Sequence, residues 1–190
     1  MTLEESYREA ERRIEVARAT HDTLLDLMNL GLTAIPPEIG QLKSVRFLLV
    51  SDNALVTVPP EIGQMSALEQ LVLHNNQLSS LPPEVGELNN LKELVLEGND
   101  LDVLPPEIGQ LTQLTHFNAE ANQLTTLPPE IGQMTALVQI DVSDNVITSL
   151  PPEIGALENL RYLDLSNNRL ATLPPEIFAL VQLEGLHIHD

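Results

Sequence analysis

Cysteine and tryptophan are absent from this 190-residue sequence, and only 3% of its residues are aromatic. Without cysteine the chain has neither a disulfide nor a thiolate nucleophile, and this absence favours a reducing compartment. No apolar run approaches the roughly 18 residues that a membrane span requires. Residues 1–19 mix acidic and basic side chains and lack the apolar centre of a secretory signal. We therefore expect a cytoplasmic protein that does not associate with a membrane.

Basic residues are also scarce. The sequence has 9 Lys and Arg against 28 Asp and Glu, which gives a formal net charge of -19. Such a chain repels the phosphate backbone of a nucleic acid, so we expect no nucleic-acid partner. The length fits a single domain with one hydrophobic core.

What the sequence does contain is a strict repeat. In the unit that starts at Leu68, the chain reads LxxLxLxxNxLxxLPPEVGxL. A fixed period of roughly 20 to 29 residues with Leu in fixed columns is typical of a solenoid of stacked units. The Pro-Pro pairs recur at one constant interval and begin at Pro36, Pro59, Pro82, Pro105, Pro128, Pro151 and Pro174.

This pattern resembles the leucine-rich repeat family, in its 23-residue intracellular form whose convex side carries LPPEIG. The resemblance covers residues 22–190. It implies an α/β fold, a curved solenoid with a parallel sheet on its concave side and short helices or turns on its convex side. We expect an N-terminal capping helix over 1–21, seven repeats over 22–182 and the strand of a truncated eighth repeat over 183–190.

The columns of the repeat have physical roles that fit this fold. The LxL segments alternate with period two, as expected of a strand with one buried face. Pro-Pro-Glu predicts a helix start, and the Gly after Ile predicts a bend or a close approach of two backbones. Phe178 replaces this Gly in the last complete unit, where we expect it to fill space near an end.

A column of Asn is expected to hold the turns together. An Asn side chain carries two donors and an acceptor, so it can satisfy the backbone of a tight turn between neighbouring units. The first unit departs from the column, with Leu30 in place of Asn and Asn29 one residue earlier. The column comprises Asn53, Asn76, Asn99, Asn122, Asn145 and Asn168.

The N-terminal segment is predicted to be a helix over residues 2–19. Thr2 and Glu5 form a capping box. Apolar residues then recur at steps of three and four, which gives the helix one apolar face. We expect this face to cover the first unit, as a lid on an otherwise open core. The apolar positions are Leu3, Tyr7, Ala10, Ile14 and Ala17.

The other end is less regular. Leu183, Leu186 and Ile188 begin an eighth unit in the expected columns. A bare final strand is a pairing edge, so we expect a longer parent protein or an edge covered by another copy, with the chain a monomer or an edge-to-edge homodimer. The opening helix, the PPEIG units and the ending GLHIHD are similar to the N-terminal repeat domains of bacterial and archaeal Roco proteins, in which a Ras-like GTPase follows.

Function is expected in the variable positions that each strand turns toward the concave face. Apolar side chains predominate there in the early units and acidic ones in the middle and late units, with Tyr162 as a possible aromatic anchor. We expect them to bind a protein or peptide of apolar and basic character. The alternative is a scaffold whose partner binds elsewhere. The predicted contact residues are Phe47, Leu49, Val72, His74, Glu93, Val95, Glu97, His116, Glu120, Asp141, Tyr162 and Asp164.

A metal site and a catalytic site are not expected. His74, His116, Glu97 and Glu120 are possible ligands, but a flat sheet spaces them about 4.8 Å apart along a ladder instead of around one ion. The strand serines on the open face lack a held base and shelter from water. These serines are Ser51, Ser143 and Ser166.

The sequence therefore predicts a non-catalytic protein-interaction module without a cofactor. One alternative is a regulatory or dimerisation repeat domain of a Roco-like GTPase, although no GxxxxGK[ST] phosphate-binding motif occurs here. A weaker alternative is an engineered repeat scaffold, against which the irregular concave residues argue.

Overall fold

The computed structural model describes residues 2–189. Helix α1 spans Leu3–Thr20 and begins at the predicted capping box, in which Glu5 N donates to Thr2 Oγ1 (3.2 Å) and Thr2 N donates to Glu5 Oε2 (2.7 Å). It ends at His21, whose left-handed conformation (φ 55°) turns the chain toward the first strand. The capping helix is confirmed in its position and in its start.

Eight parallel strands follow in one sheet, and their spatial order is their order in the chain. Each strand has three residues, and the middle one is buried in the first seven strands. The constant period sets the register, so that Phe47 faces Gln70 and Gln70 faces Glu93, one repeat further along the chain each time. The strands are β1 Leu24–Asp26, β2 Phe47–Leu49, β3 Gln70–Val72, β4 Glu93–Val95, β5 His116–Asn118, β6 Gln139–Asp141, β7 Tyr162–Asp164 and β8 Gly185–His187.

Short 3-10 helices form the convex side, and we call each turn of the solenoid a coil, numbered by its strand. Each helix starts at the second proline of a Pro-Pro pair, which lacks an N–H that the first turn would leave unsatisfied. A Glu follows at once, where the positive end of the helix is stabilised by its charge. The helices are Pro37–Gln41, Pro60–Gln64, Pro83–Glu87, Pro106–Gln110, Pro129–Gln133, Pro152–Ala156 and Pro175–Ala179.

The Asn column links neighbouring coils, as predicted. Asn122 Nδ2 donates to the carbonyl oxygens of Leu96 (3.0 Å) and Ala119 (3.2 Å), while its Oδ1 accepts from Leu101 N (3.0 Å). One buried side chain thereby satisfies backbone groups of its own coil and of the coil before it. In the first coil, where Leu30 stands in this column, its backbone N–H donates to Asn53 Oδ1 (3.1 Å).

The glycine of the repeat marks a close approach between convex helices. A Cβ built on Gly63 would lie 2.5 Å from Glu84 O in the next coil, a distance that real Cβ atoms do not reach. Phe178 does not fill space as predicted, because its side chain is 86% exposed. Within the described residues no further convex helix follows the one that contains Phe178, so its side chain projects into solvent. The prediction for Phe178 is wrong for this reason.

One hydrophobic cluster fills the solenoid between the sheet and the convex helices. Helix α1 extends it at the N-terminal end, where Ala10, Ile14 and Ala17 are buried against the first coil, whereas Leu3, predicted on the same face, is exposed. None of the helices in the described part of the chain is long and apolar enough to cross a membrane.

Candidate concave binding face

The concave face is made of three columns of side chains that run across the sheet. The first and third residues of the strands form two columns, and the residue two positions after each strand forms the third. All twelve predicted contact residues lie in these columns, and none of them is buried. His116 and Tyr162 are exposed and the other ten are partly buried. Their role in binding stays a prediction.

The early coils bring apolar side chains together. Leu49, Val72 and Val95 are direct neighbours in the column formed by the third strand residues. Phe47 lies beside them, and the guanidinium of Arg46 covers its ring, with the Cζ atom 5.5 Å from the ring centroid. The result is a partly buried apolar strip with a cation at one side.

The middle and late coils bring carboxylates together. Glu97 and Glu120 follow neighbouring strands, and Asp141 faces Asp164 directly across β6 and β7. Partial burial raises the pKa of Glu120, and the negative charges of these neighbours and of Asp144 raise it further. Among the described residues, no Lys or Arg forms an ion pair with this acidic group.

The two aspartates differ in their hydrogen bonds. Asp141 Oδ1 accepts from Ser143 N (3.0 Å) and Ser143 Oγ (2.6 Å), and no described residue donates to its Oδ2. Asp164 Oδ1 accepts from Ser166 N (2.9 Å), and its Oδ2 lies 2.9 Å from His187 Nδ1. Partial burial acts to raise the pKa of Asp164, but the hydrogen bonds from Ser166 and His187 lower it overall.

A ladder of charges runs along the residues just before the strands of the early coils. Glu69 Oε1 lies 2.6 Å from Arg46 Nε, and Glu69 Oε2 lies 2.8 Å from Lys92 Nζ. These hydrogen bonds lower the pKa of Glu69 to about 2. Sequence reasoning missed this ladder, although the alternation of Arg46, Glu69 and Lys92 in the same column of successive repeats was a usable signal.

A cavity of about 270 Å³ lies on the face between β6 and β8. Its lining includes Asp141, Tyr162, Asp164, Gly185 and His187. The hydroxyl of Tyr162 donates to Glu184 Oε2 (2.8 Å), and its ring leans over Gly185. Gly185 was not among the predicted contact residues, because a missing side chain gives no signal unless its neighbour is known to be aromatic.

Ser51, His74 and Asp52 superficially suggest a nucleophile and its base. Ser51 Oγ lies 3.2 Å from His74 Nδ1, and His74 Nε2 lies 3.8 Å from Asp52 Oδ2. The expectation that the three serines lie on the open face is wrong, because Ser51, Ser143 and Ser166 are all buried, and the hydroxyl of Ser51 therefore cannot reach a substrate. In residues 2–189, His, Asp and Glu form no group of three or more that could hold a metal ion.

Two family descriptions match this chain, a leucine-rich repeat region over residues 67–145 and a leucine rich repeat over residues 135–190. Together they cover more than half of the sequence. A repeat of this kind agrees with the parallel sheet, in which each strand pairs with the strand one repeat later. The chain belongs to the leucine-rich repeat family. A comparison with curated protein sequences gives no match.

Solved leucine-rich repeat structures share the fold. A leucine-rich repeat protein of Leptospira interrogans is 41% identical, with a TM-score of 0.81 over 83% of this chain and 40% of that one. A plant peptide hormone receptor, solved in complex with RGF2, is 28% identical, with a TM-score of 0.75 over 88% of this chain and 28% of that one. The chain thus spans less than half the length of either protein.

The repeat domain of the type III effector XopL adds support for the fold alone. It is 23% identical, with a TM-score of 0.80 over 96% of this chain and 73% of that one. A TM-score compares backbones, so these likenesses describe the scaffold and carry no information on the side chains of the concave columns.

Proposed function

We propose that this leucine-rich repeat chain is a non-catalytic module that binds a protein or peptide on its concave face. The observation that carries the proposal is the layout of that face, an apolar strip next to carboxylates that no Lys or Arg among the described residues neutralises. A partner with apolar side chains beside basic ones would bury the strip and compensate the charge.

The kind of partner has support from a structural relative. The plant receptor that is 28% identical was solved in complex with RGF2 and is described as a peptide hormone receptor. The same type of scaffold therefore binds a peptide in that protein. The cytoplasmic location and the absence of a nucleic-acid partner stay predictions that rest on composition and charge.

Charge reversal on the concave face tests the proposal. We expect Glu97→Lys with Glu120→Lys to reduce the capture of a specific partner at least tenfold, because like charges at an interface are repelled. The matched control is Glu87→Lys with Glu158→Lys, two exposed residues outside the concave columns that change the net charge by the same amount. Quantitative pull-down measures both. An identical set of captured proteins for wild type and the concave variant would contradict the proposal.

Self-association is a second candidate function, favoured by the last coil. Strand β8 pairs with β7, and no described strand covers its other edge. Leu186 and Ile188 are exposed there. Pairing with the β8 edge of a second copy would satisfy the backbone N–H and C=O groups along this edge. Light scattering during size-exclusion chromatography tests it, and a monomer at all concentrations would contradict it. A regulatory role beside a Roco-like GTPase stays a prediction.

A further inference from the structure

The cavity between β6 and β8 exists because one column changes from an aromatic residue to glycine. Tyr162 and Gly185 are direct neighbours in the column of first strand residues. A Cβ built on Gly185 would lie 3.0 Å from Tyr162 Cδ1, so the ring occupies the place that a side chain on Gly185 would need. Glu184 Oε2 accepts a hydrogen bond from the Tyr162 hydroxyl and thereby fixes the ring in this position. Tyr162 as a residue remains 46% exposed, which leaves it accessible to a partner.

Two carboxylates lie beside this ring, while the nearby Glu184 is paired with Arg161 (2.8 Å). Asp141 and Asp164 line the cavity on neighbouring strands. Ser143 donates two hydrogen bonds to Asp141 Oδ1, whereas Asp141 Oδ2 receives no hydrogen bond from a described residue. A donor that enters the cavity therefore finds one carboxylate oxygen ready to accept. Both oxygens of Asp164 already take part in hydrogen bonds, with Ser166 and His187. Asp164 therefore contributes negative charge to the cavity and no free acceptor.

The size and chemistry of the cavity indicate one kind of side chain. Its volume of about 270 Å³ is large enough for one long side chain. A guanidinium group is planar, stacks on an aromatic ring and donates to a carboxylate at the same time. An ammonium group of lysine lacks the planar surface that the ring would cover.

We propose that this cavity is the subsite that receives an arginine side chain of the protein or peptide partner. The proposal rests on the proposed concave-face function and specifies one contact within it. Tyr162 stacks on the guanidinium, Asp141 Oδ2 accepts its hydrogen bond, and Gly185 leaves the space that the Tyr162 ring occupies.

A titration with a capped arginine, N-acetylarginine N-methylamide, tests the subsite by NMR at constant ionic strength. The sequence has only two tyrosines, so the ring signals of Tyr162 are resolved from those of Tyr7, which serves as an internal control in α1. We expect the Tyr162 ring shifts to saturate with a dissociation constant on the order of millimolar, as for one stacked and hydrogen-bonded side chain. The capped citrulline, a neutral isostere, should give no saturable shift.

Two variants test whether the capped arginine binds in this cavity. Gly185→Leu requires no unusual backbone conformation, but its side chain competes with the Tyr162 ring for the same space, so it should displace the ring, fill the cavity and abolish the saturable shift. Asp141→Asn keeps the shape and removes the charge, and it should weaken binding about tenfold, as expected for one charge-assisted hydrogen bond.

Three results would overturn the subsite: citrulline shifts equal to those of arginine, a titration unchanged by Gly185→Leu, or a capped lysine that binds as tightly. None of them would decide the concave-face function, because the Glu97 and Glu120 variants test it without touching the cavity. Conversely, an unchanged pull-down with saturable arginine binding would contradict the broader function and leave the subsite intact.

Discussion

The first and last coils of the solenoid contain the same apolar columns, yet they bury them to different extents. Ile14 of α1 packs on the first coil and is only 2% exposed, whereas Ile188 beyond β8 is 54% exposed. Phe178 and Val181 of the last coil are 86% and 82% exposed. A stacked unit buries its apolar side chains only against a neighbour on each side, and α1 supplies the neighbour that the first coil lacks.

Polar groups follow the same contrast. Ser6 of α1 donates to Leu30 O (2.6 Å) in the first coil, whereas the hydroxyl of Ser166, which is also buried, has no hydrogen-bond partner among residues 2–189. Glu69 is held by two cations in the early coils, but Glu120 is surrounded by other carboxylates. Ser6 and Glu69 thus have internal partners, whereas Ser166 Oγ and the carboxylate of Glu120 have none among the described residues, although the late coils do pair Arg161 with Glu184 (2.8 Å).

The largest effect that separates the two ends is expected from Ile→Ala substitutions. Ile14→Ala should lower the free energy of unfolding by about 2–5 kcal/mol, because it leaves a cavity between α1 and the first coil. Ile188→Ala should change it by no more than about 0.5 kcal/mol, since its side chain is mainly exposed. Urea unfolding monitored by circular dichroism measures both. Equal losses would show that α1 does not protect the first coil.

The convex glycine column should show a smaller contrast. Gly63→Ala is expected to cost about 1–3 kcal/mol, because its Cβ would contact the backbone of Glu84 and push the coils apart. Phe178→Ala at the equivalent position of the last convex helix should stay within about 0.5 kcal/mol, as no described helix packs on it. Urea unfolding measures both variants. A Gly63→Ala protein as stable as wild type would contradict the close approach of Gly63 to Glu84.

Serine substitutions compare the polar groups of the two ends. Ser6→Ala should destabilise the chain by about 1–3 kcal/mol, because Leu30 O is left buried without a donor. Ser166→Ala should be neutral or slightly stabilising, since it removes a buried hydroxyl that has no described partner. Thermal unfolding distinguishes the two outcomes. A clear loss for Ser166→Ala would mean that its hydroxyl makes a bond in solution.

The smallest effects on the free energy of unfolding are expected from the ionisation of Glu69 and Glu120, and these two effects differ in sign. The pKa of Glu69 is about 2 in the fold, below its ordinary 4.5, so its contribution is present above pH 4.5 and is lost as pH falls toward 2. The raised pKa of Glu120 means that its ionisation opposes folding, so stability falls as pH rises through that pKa.

Unfolding at several pH values measures this difference. Glu69→Gln should lose stability near pH 7 and match wild type near pH 2. Glu120→Gln should gain stability near pH 7 and lose that advantage in acid. The same pH profile for both variants would contradict the contrast between paired and unpaired carboxylates.

Much of this arrangement was predictable from a single unit of the repeat. The strand, the proline start, the Asn contacts and the capping box of Thr2 each depend on a few neighbouring residues, so a local pattern was enough. Phe178 was mispredicted because its exposure depends on the absence of a packed neighbour. The bond from Ser6 to Leu30 was missed because it joins two elements across an irregular coil.

The candidate site divides in the same way. The period placed all twelve predicted residues on one face, since a constant register sends each column to the same side of the sheet. It did not show that Tyr162 leans over Gly185, that Arg46 covers Phe47, or that Glu69 links Arg46 and Lys92. Those contacts depend on which rotamers neighbouring side chains allow one another.

The sequence by itself determined the solenoid, its sheet register and the face on which its variable residues lie, because a strict period repeats the same local geometry at every step. Only the tertiary structure decided which charges are paired, which coil is covered and where a cavity opens. These properties arise between residues that lie a full repeat apart in the chain, where packing in three dimensions sets the contact and no local pattern records it.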